Sequence, residues 1–242
     1  MRLIGLQGYK SMNGQIYESG EYLENNPDWH AADAPYKADW ISEILRKNGV
    51  HPDTIVEIGC GSGEILLSLA KVFPHAKMAG YDISPQAYEI AHPKKTENIT
   101  FYKANYLEEP AVPTDVVMAI DVFEHVEDYM GFIRALKGRA KWAVFHIPLD
   151  LSVQGLLRGK HTMRARRDVG HLHYFEKETA LATVSDCGFE VGAWNYTFST
   201  EKLPGMPIQT RLFNLVRKSM RLFGNDFGVR VTGGASMMVL AR

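Results

Sequence analysis

From Thr54 onward the chain alternates between short apolar runs rich in β-formers and helical patterns with recognisable ends, and few folds accept that alternation. The runs "TIVEIGC" (54–60), "KMAGYDI" (77–83), "ITFYKAN" (99–105), "VVMAIDV" (116–122) and "KWAVFHIP" (141–148) suit strands buried on both faces of a parallel sheet. Between them, Glu64–Phe73 stops at Pro74, and Ser84 is an N-cap with Pro85 at the first helical position. Val126, Met130 and Ile133 share one face of a helix that Gly138 can close, and Glu176–Cys187 ends at Gly188. Strands separated by helices of this length imply right-handed βαβ crossovers and a doubly wound α/β sheet.

The ends depart from the rhythm. Residues 33–49 form an amphipathic helix with Trp40, Ile41, Ile44 and Leu45 apolar and Gly49 as its stop. "FEVGAWNYTF" and "ASMMVLAR" read as two late strands more than 35 residues apart, a gap too long for a hairpin loop. It holds a helix from about Ile208 to Phe223, with Leu212, Val216 and Phe223 on one side and Arg211, Lys218 and Arg221 on another. That helix reads first as packed, with a membrane-surface or substrate lid as the alternative. Tyr17, Tyr22, Trp29 and His30 suit a flap over a ligand, while Trp29, Tyr36 and Trp40 read better as core.

At 242 residues, 45% apolar and 23% charged, the composition suits one globular domain with insertions. Its expected parts are a helical cap (1–50), a cofactor-binding core (51–150) and a substrate side carrying the last two strands (151–242). A net charge of -1 gives no global drive toward nucleic acid or an anionic membrane. Cys60 and Cys187 have no metal or redox spacing and read as thiols in a reducing compartment. No apolar run approaches the roughly 20 residues of a bilayer span, and the first residues do not make a secretory signal. The expected location is cytoplasmic.

Gly59, Gly61 and Gly63 follow the first strand, at the carboxyl edge where open α/β sheets place ligands. Glycine belongs where the backbone turns through positive φ or meets a ligand closely, so a turn without a ligand is the plain alternative. A dinucleotide fingerprint needs glycine at position 64, which is Glu, and a carboxylate there competes with a pyrophosphate for the helix N-terminus. With Glu57 it makes an acidic rim suited to a cationic ligand. S-adenosylmethionine carries an ammonium and a sulfonium and no phosphate, so this loop, Cys60 included, favours it over NAD.

Asp82, 21 residues after Gly61, is placed to accept both hydroxyls of a ribose, or else to start the next helix. Ile83 then offers an apolar surface to adenine, and Asn105 and Tyr106 fall where the polar edge of the base should lie. Asp121, Phe123 and His125 emerge together at the end of the fourth strand. Asp121 also reads as a helix-start residue, and His125 as a partly buried helix residue.

"VEIGCGSGE", "GYDISPQAYEIA", "ANYLE", "AIDVFEHVED", "FHIP" and "HLHYFEKETALATVSDCGFEV" resemble successive motifs of the class I S-adenosylmethionine-dependent methyltransferases. The branch they most resemble acts on small molecules and includes the ubiquinone-pathway O-methyltransferases. The resemblance runs from about Trp29 to Phe198 and through the last strand. It implies a Rossmann-like, mostly parallel sheet of seven strands, helices on both faces, the last strand antiparallel beside the fifth. It makes Glu57, Gly59, Gly61 and Gly63 the methionine-binding loop and Asp82 the ribose ligand. Asn105 and Tyr106 would flank adenine, with Asp121 near the methionyl group. Asn105 departs from the family's usual Asp, and the segment before the last strand is longer than the family commonly has.

The implied reaction is methyl transfer to a small acceptor, most readily an oxygen of an anionic or lipid-linked metabolite, releasing S-adenosylhomocysteine. An acceptor hydroxyl needs a base, and histidine suits the task. His125 and His146 are nearest the expected methyl; His171 and His173 lie farther along and read as acceptor contacts. His171-x-His173 resembles a metal pair, yet no Cys or carboxylate set completes it, so no metal is expected. Residues 151–167 hold four arginines, one lysine and no acid, either a solvated loop or an anion-binding insertion using Arg158, Lys160, Arg164, Arg166 and Arg167. A non-catalytic cofactor-binding partner or regulator, an RNA methyltransferase and, weakest, an oxidoreductase remain as alternatives.

Overall fold

The computed structural model describes residues 31–159, 161–202 and 207–242. Tyr17, Tyr22, Trp29, His30 and Lys160 lie outside them. After a turn at Ala31–Asp33 come α1 (Ala34–Lys47), β1 (Thr54–Ile58), α2 (Glu64–Val72), β2 (Lys77–Asp82), α3 (Pro85–Ala91), β3 (Ile99–Lys103) and β4 (Thr114–Ile120). A 3₁₀ turn at Phe123–His125 precedes α4 (Tyr129–Leu136) and β5 (Ala140–Pro148). Then come α5 (Val153–Leu157), α6 (His161–Asp168), α7 (Lys177–Asp186), β6 (Val191–Thr197), α8 (Ser199–Lys202), α9 (Ile208–Arg221), α10 (Asn225–Thr232) and β7 (Ser236–Ala241).

The seven strands lie in the order β3-β2-β1-β4-β5-β7-β6, with β1 to β5 parallel and β7 antiparallel to both β5 and β6. Residues of one strand serve two cores: Val116 and Met118 of β4 pack with Ile41, Leu45, Leu66 and Leu69, while Val117 and Ala119 pack with Ile133, Leu136 and Val184. Helices therefore cover both faces, which is why the strand runs lack polar alternation. The order of strand addition reverses between the parallel neighbours β1 and β4, β2 and β3 following to one side and β5 to the other, and the crevice there opens at their carboxyl ends.

Local chemistry sets the helix ends. Ser84 caps α3 by accepting from Ala87 N, and Glu176 and Thr179 cap α7 reciprocally. Gly49, Gly138 and Gly188 stop their helices with φ of 70°, 81° and 94°. Three expectations need correction. Val126 precedes α4, whose cap is Asp128, accepting from Gly131 N. Residues 151–167 are not a loop, since they contain α5 and most of α6. Finally, α9 does not pack through its apolar side, because Leu212, Val216 and Phe223 are 60%, 46% and 77% exposed. No helix among the described residues is long and apolar enough to cross a membrane.

The turn from β1 into α2 depends on Gly63, at φ 78°, where an added Cβ would meet the Phe101 ring at 2.5 Å. Phe101 is buried in β3 and cannot yield. Gly63→Ala should lower stability by at least about 2 kcal/mol; an unchanged urea midpoint would disprove the constraint.

Candidate active site

A cavity of about 600 Å³ lies along the carboxyl edge of the sheet, with walls from the β1–α2 turn, the ends of β2, β4 and β5, α1, and residues 169–172. Gly59 and Cys60 N–H groups donate to the Tyr81 carbonyl (2.8 and 3.1 Å), stitching the glycine turn to β2. Asp82 lies beneath the turn: its Oδ2 accepts from Gly61 N (2.9 Å) and its Oδ1 from Ser84 N (2.8 Å). Gly59 adopts φ 65°, and a Cβ there would strike Val122 at 2.8 Å, so neither chain geometry nor space admits a side chain.

Glu57 enters the same wall at 1% exposure, and its Oε2 has no hydrogen-bond partner. Burial pushes its carboxyl up to about 8; Lys37 opposes the rise and Asp82 adds to it. Burial likewise raises Asp82, against the N–H groups that favour its charged form, and raises the Cys60 thiol well above its ordinary value. Glu64 is on the wall too, but Lys94 pairs with it at 2.5 Å and donates to the Ser62 carbonyl. Of the two acids expected on the rim, Glu57 is the one left uncompensated by a direct partner.

Deeper in, Asp121 holds φ 54°, the sole non-glycine positive φ among the described residues. Aspartate tolerates this region better than most residues, and such strain persists only where surroundings enforce it. Here Asp121 N donates to the His146 carbonyl (3.0 Å), Oδ1 meets His146 Nδ1 (2.6 Å), and Oδ2 meets Lys37 Nζ (2.8 Å). Lys37 also pairs with Asp33 (3.0 Å), and His146 Nε2 lies 2.8 Å from Thr197 Oγ1. Burial alone would raise the Asp121 carboxyl, but His146 and Lys37 outweigh it and hold it well below its usual range. Lys37 is raised by Asp121 and Asp33 despite the opposing effect of burial. Both ring nitrogens of His146 are thus engaged, Nδ1 by Asp121 and Nε2 by Thr197.

His125 and His171 face each other across one end of the cavity, rings edge-on with centroids 4.9 Å apart. Asp150 binds His171 Nδ1 at 2.6 Å. Behind them Glu124 is wholly buried, neither carboxylate oxygen has a hydrogen-bond partner, and burial with repulsion from Asp121 raises its carboxyl well above the ordinary range. One ligand atom each from Glu124, His125 and His171 lies within 4.8 Å of the others, the spacing of a possible cation site. His173, read from sequence as an acceptor contact with His171, donates through Nε2 to the Val126 carbonyl (2.9 Å).

Residues 29–193 match a methyltransferase-domain family. The chain belongs to the class I S-adenosylmethionine-dependent methyltransferases. It is 30% identical to a trans-aconitate 2-methyltransferase of Afipia carboxidovorans over 60% of this chain and 54% of that one. Identity to a ubiquinone biosynthesis O-methyltransferase of Methylocella silvestris is 29%, over 44% of this chain and 52% of that one. The chain thus spans about half the length of these relatives. Its fold matches the magnesium protoporphyrin IX methyltransferase of Synechocystis with bound S-adenosylhomocysteine, at TM-score 0.64, 14% identity and coverage of 95% and 99%. The N-methyltransferase NodS of Bradyrhizobium japonicum gives 0.59, 16%, 96% and 98%.

S-adenosylmethionine is the cofactor of this family, and the methyltransferase wall combines Glu57, Gly59, Cys60, Gly61, Asp82, Ile83, Asp121, His125, His146 and His171, all read from sequence as site residues. Gly63 shapes the turn without entering the wall. Other expected residues lie elsewhere. Asn105 spends its amide on Leu107 N and Glu108, while Arg139 draws the carbonyls of Tyr106, Leu107 and Glu109 toward the α4–β5 corner. Tyr106 is buried against Tyr81, and Phe123 is a fully buried core ring beside Phe145 and Phe175. Arg158, Arg164 and Arg167 are exposed outside the cavity: Arg158 lies over Phe213, and Arg164 pairs with Asp168. Lys37, Asp33 and Thr197 went unrecognised. A lysine on the apolar stripe of Ala34, Ala38 and Ile41, four residues after an aspartate, was the available signal.

Lys37→Met leaves Asp121 facing an apolar side chain, and urea unfolding should show a loss of about 3–5 kcal/mol, partly restored by adding Asp121→Asn. Glu57 predicts a pH effect. The unfolded chain releases this proton near 4.5 and the folded one near 8, so native stability falls as pH rises through that window. Between those limits cofactor-free Glu57→Gln should gain on the parent by up to about 5 kcal/mol; parallel pH profiles would refute the titration.

Proposed function

We propose that this chain transfers the methyl group of S-adenosylmethionine to an oxygen of a small-molecule acceptor, with His125 as the base. The observation carrying this reading is the buried, unpartnered Glu57 oxygen on the same cavity wall as Gly59 and Gly61 of the turn. An ammonium group supplies what that oxygen lacks, so the donor set fits the cofactor. When bound, S-adenosylmethionine provides a methyl made electrophilic by its sulfonium. Gly59 and Gly61 admit it to the main chain, Asp82 retains acceptor capacity for ribose hydroxyls, and Ile83, half exposed on the wall, gives adenine an apolar surface. Asp121 and Lys37, locked to each other, fix the floor of the site without reorganising.

Alignment of acceptor and methyl supplies roughly 7–11 kcal/mol of such a barrier, leaving proton removal to a side chain. His125 sits on the wall beside Val126, Val169 and Leu172. With the arginines of 151–167 outside, Lys37 is the sole Lys or Arg among the wall residues, and two aspartates neutralise it. Such a wall suits an uncharged hydroxyl on a hydrophobic or lipid-linked molecule better than an anion. Similarity to ubiquinone biosynthesis O-methyltransferases supports that class.

Calorimetric titration with S-adenosylhomocysteine should give saturable binding in both the parent and His125→Ala. The variant should lose about 10²-fold or more in kcat. Binding of NADH with no heat from S-adenosylhomocysteine would overturn the cofactor assignment, and an unchanged kcat would remove His125 from proton transfer.

A further inference from the structure

Helix α9 packs inside out. Its inward side is polar: buried Asn214 donates to the Thr200 carbonyl (2.8 Å), Arg217 donates to Asn214 Oδ1 (2.8 Å), and Arg221 grips both oxygens of Glu201 (2.6 and 2.8 Å). Ile208, Leu212, Leu215 and Val216, spaced i, i+4, i+7 and i+8, form one stripe that is 72%, 60%, 63% and 46% exposed. Leu222 and Phe223 extend it at 86% and 77% exposure. A globular protein ordinarily turns such a stripe inward, so this one is built to be covered from outside.

Its surroundings have the same character. Eleven of the fifteen large apolar side chains exposed among the described residues belong to α5, α6, α9, α10 or residues 222–223. Residues 151–167 and 208–221 together hold nine Lys and Arg and no Asp or Glu; Arg217 and Arg221 turn inward, while Arg158, Arg164, Arg167, Arg211 and Lys218 are exposed. They meet in the fold: α10 packs on both α9 and α5, and the Arg158 guanidinium lies 5.4 Å from the Phe213 ring. Arg211 and Lys218 are exposed on α9 itself.

We propose that this face seats the protein on an anionic lipid bilayer surface, with the stripe in the acyl boundary and the flanking cations at the headgroups. Charge selects this occupant. A two-fold dimer through the same patch would set the same cations against one another, whereas anionic headgroups neutralise them. The docking elements also adjoin the cavity: Val169 follows α6, Ser199 opens α8 beside α9, and Ser236 lies just beyond α10, all three on the wall. Only this last point, access for a lipid-linked acceptor, rests on the methyl-transfer reading.

The test is co-sedimentation of the full chain with phosphatidylcholine vesicles, with and without a one-third share of phosphatidylglycerol. Binding should require the anionic lipid and weaken as salt rises. Leu212→Ser/Leu215→Ser and Arg211→Gln/Lys218→Gln should each reduce it at least about tenfold, with unchanged circular dichroism and thermal melting because all four positions are exposed. Absence of sedimentation by the folded parent, or binding indifferent to both double variants, would overturn the proposal. So would a dimer by light scattering that the Leu212→Ser/Leu215→Ser variant dissolves, which would assign the stripe to a second copy. None of these readouts uses cofactor or turnover, so they stand or fall apart from catalysis.

Discussion

The ammonium of Lys37, held between Asp33 and Asp121, joins the first helix to the reactive edge of the sheet. A buried cation costs desolvation that only close, oppositely charged partners offset. Once Lys37 is in place, Asp121 can keep a left-handed backbone and a full charge, His146 is oriented by Asp121, and Thr197 ties β6 to the same chain of contacts. Four elements distant in sequence therefore meet at one polar thread beneath the cavity.

Carboxylates in this site are driven in opposite directions by their surroundings. Asp121 has two cationic or protonatable partners and is held ionised, whereas Glu57 and Glu124 are buried without direct hydrogen bonds to their unpartnered oxygens and hold their protons more tightly. Such divergence gives one small cavity both fixed charge and groups ready to respond to a ligand. Glu57 lies at the glycine turn with one oxygen unpartnered. Glu124 stands behind the paired imidazoles of His125 and His171 at the other end. The two ends thus differ in chemistry: backbone and carboxylates at one, imidazoles and apolar side chains at the other.

The longest departure from the alternating pattern lies after β6, where polar contacts fasten α9 through Asn214, Arg217 and Arg221 and leave its apolar stripe outside. The arginines of 151–167 join this surface instead of the cavity. An acid-free basic segment has the same composition whether it lines a pocket or a surface, so composition alone could not separate these placements.

What the sequence determined by itself was whatever depends on neighbouring residues. The strand runs, the Ser84 cap, the glycine stops and the Gly59-Cys60-Gly61-Ser62-Gly63 turn each follow from local sterics and hydrogen bonding, and the βαβ handedness then leaves few sheet orders open. Glu57, Asp82, Asp121 and His125 were legible because they follow or end strands, and strand ends converge at a known edge. Side-chain partnership was decided only by tertiary structure. His146 is engaged by Asp121 and Thr197, His171 meets Glu124 and His125 while His173 turns to the Val126 carbonyl, and Asn105 is held by its own turn while Arg139 draws the following carbonyls away. The outward face of α9 belongs to the same category. A helical wheel shows that two faces differ, but which one is buried depends on what Thr200 and Glu201 offer across the fold.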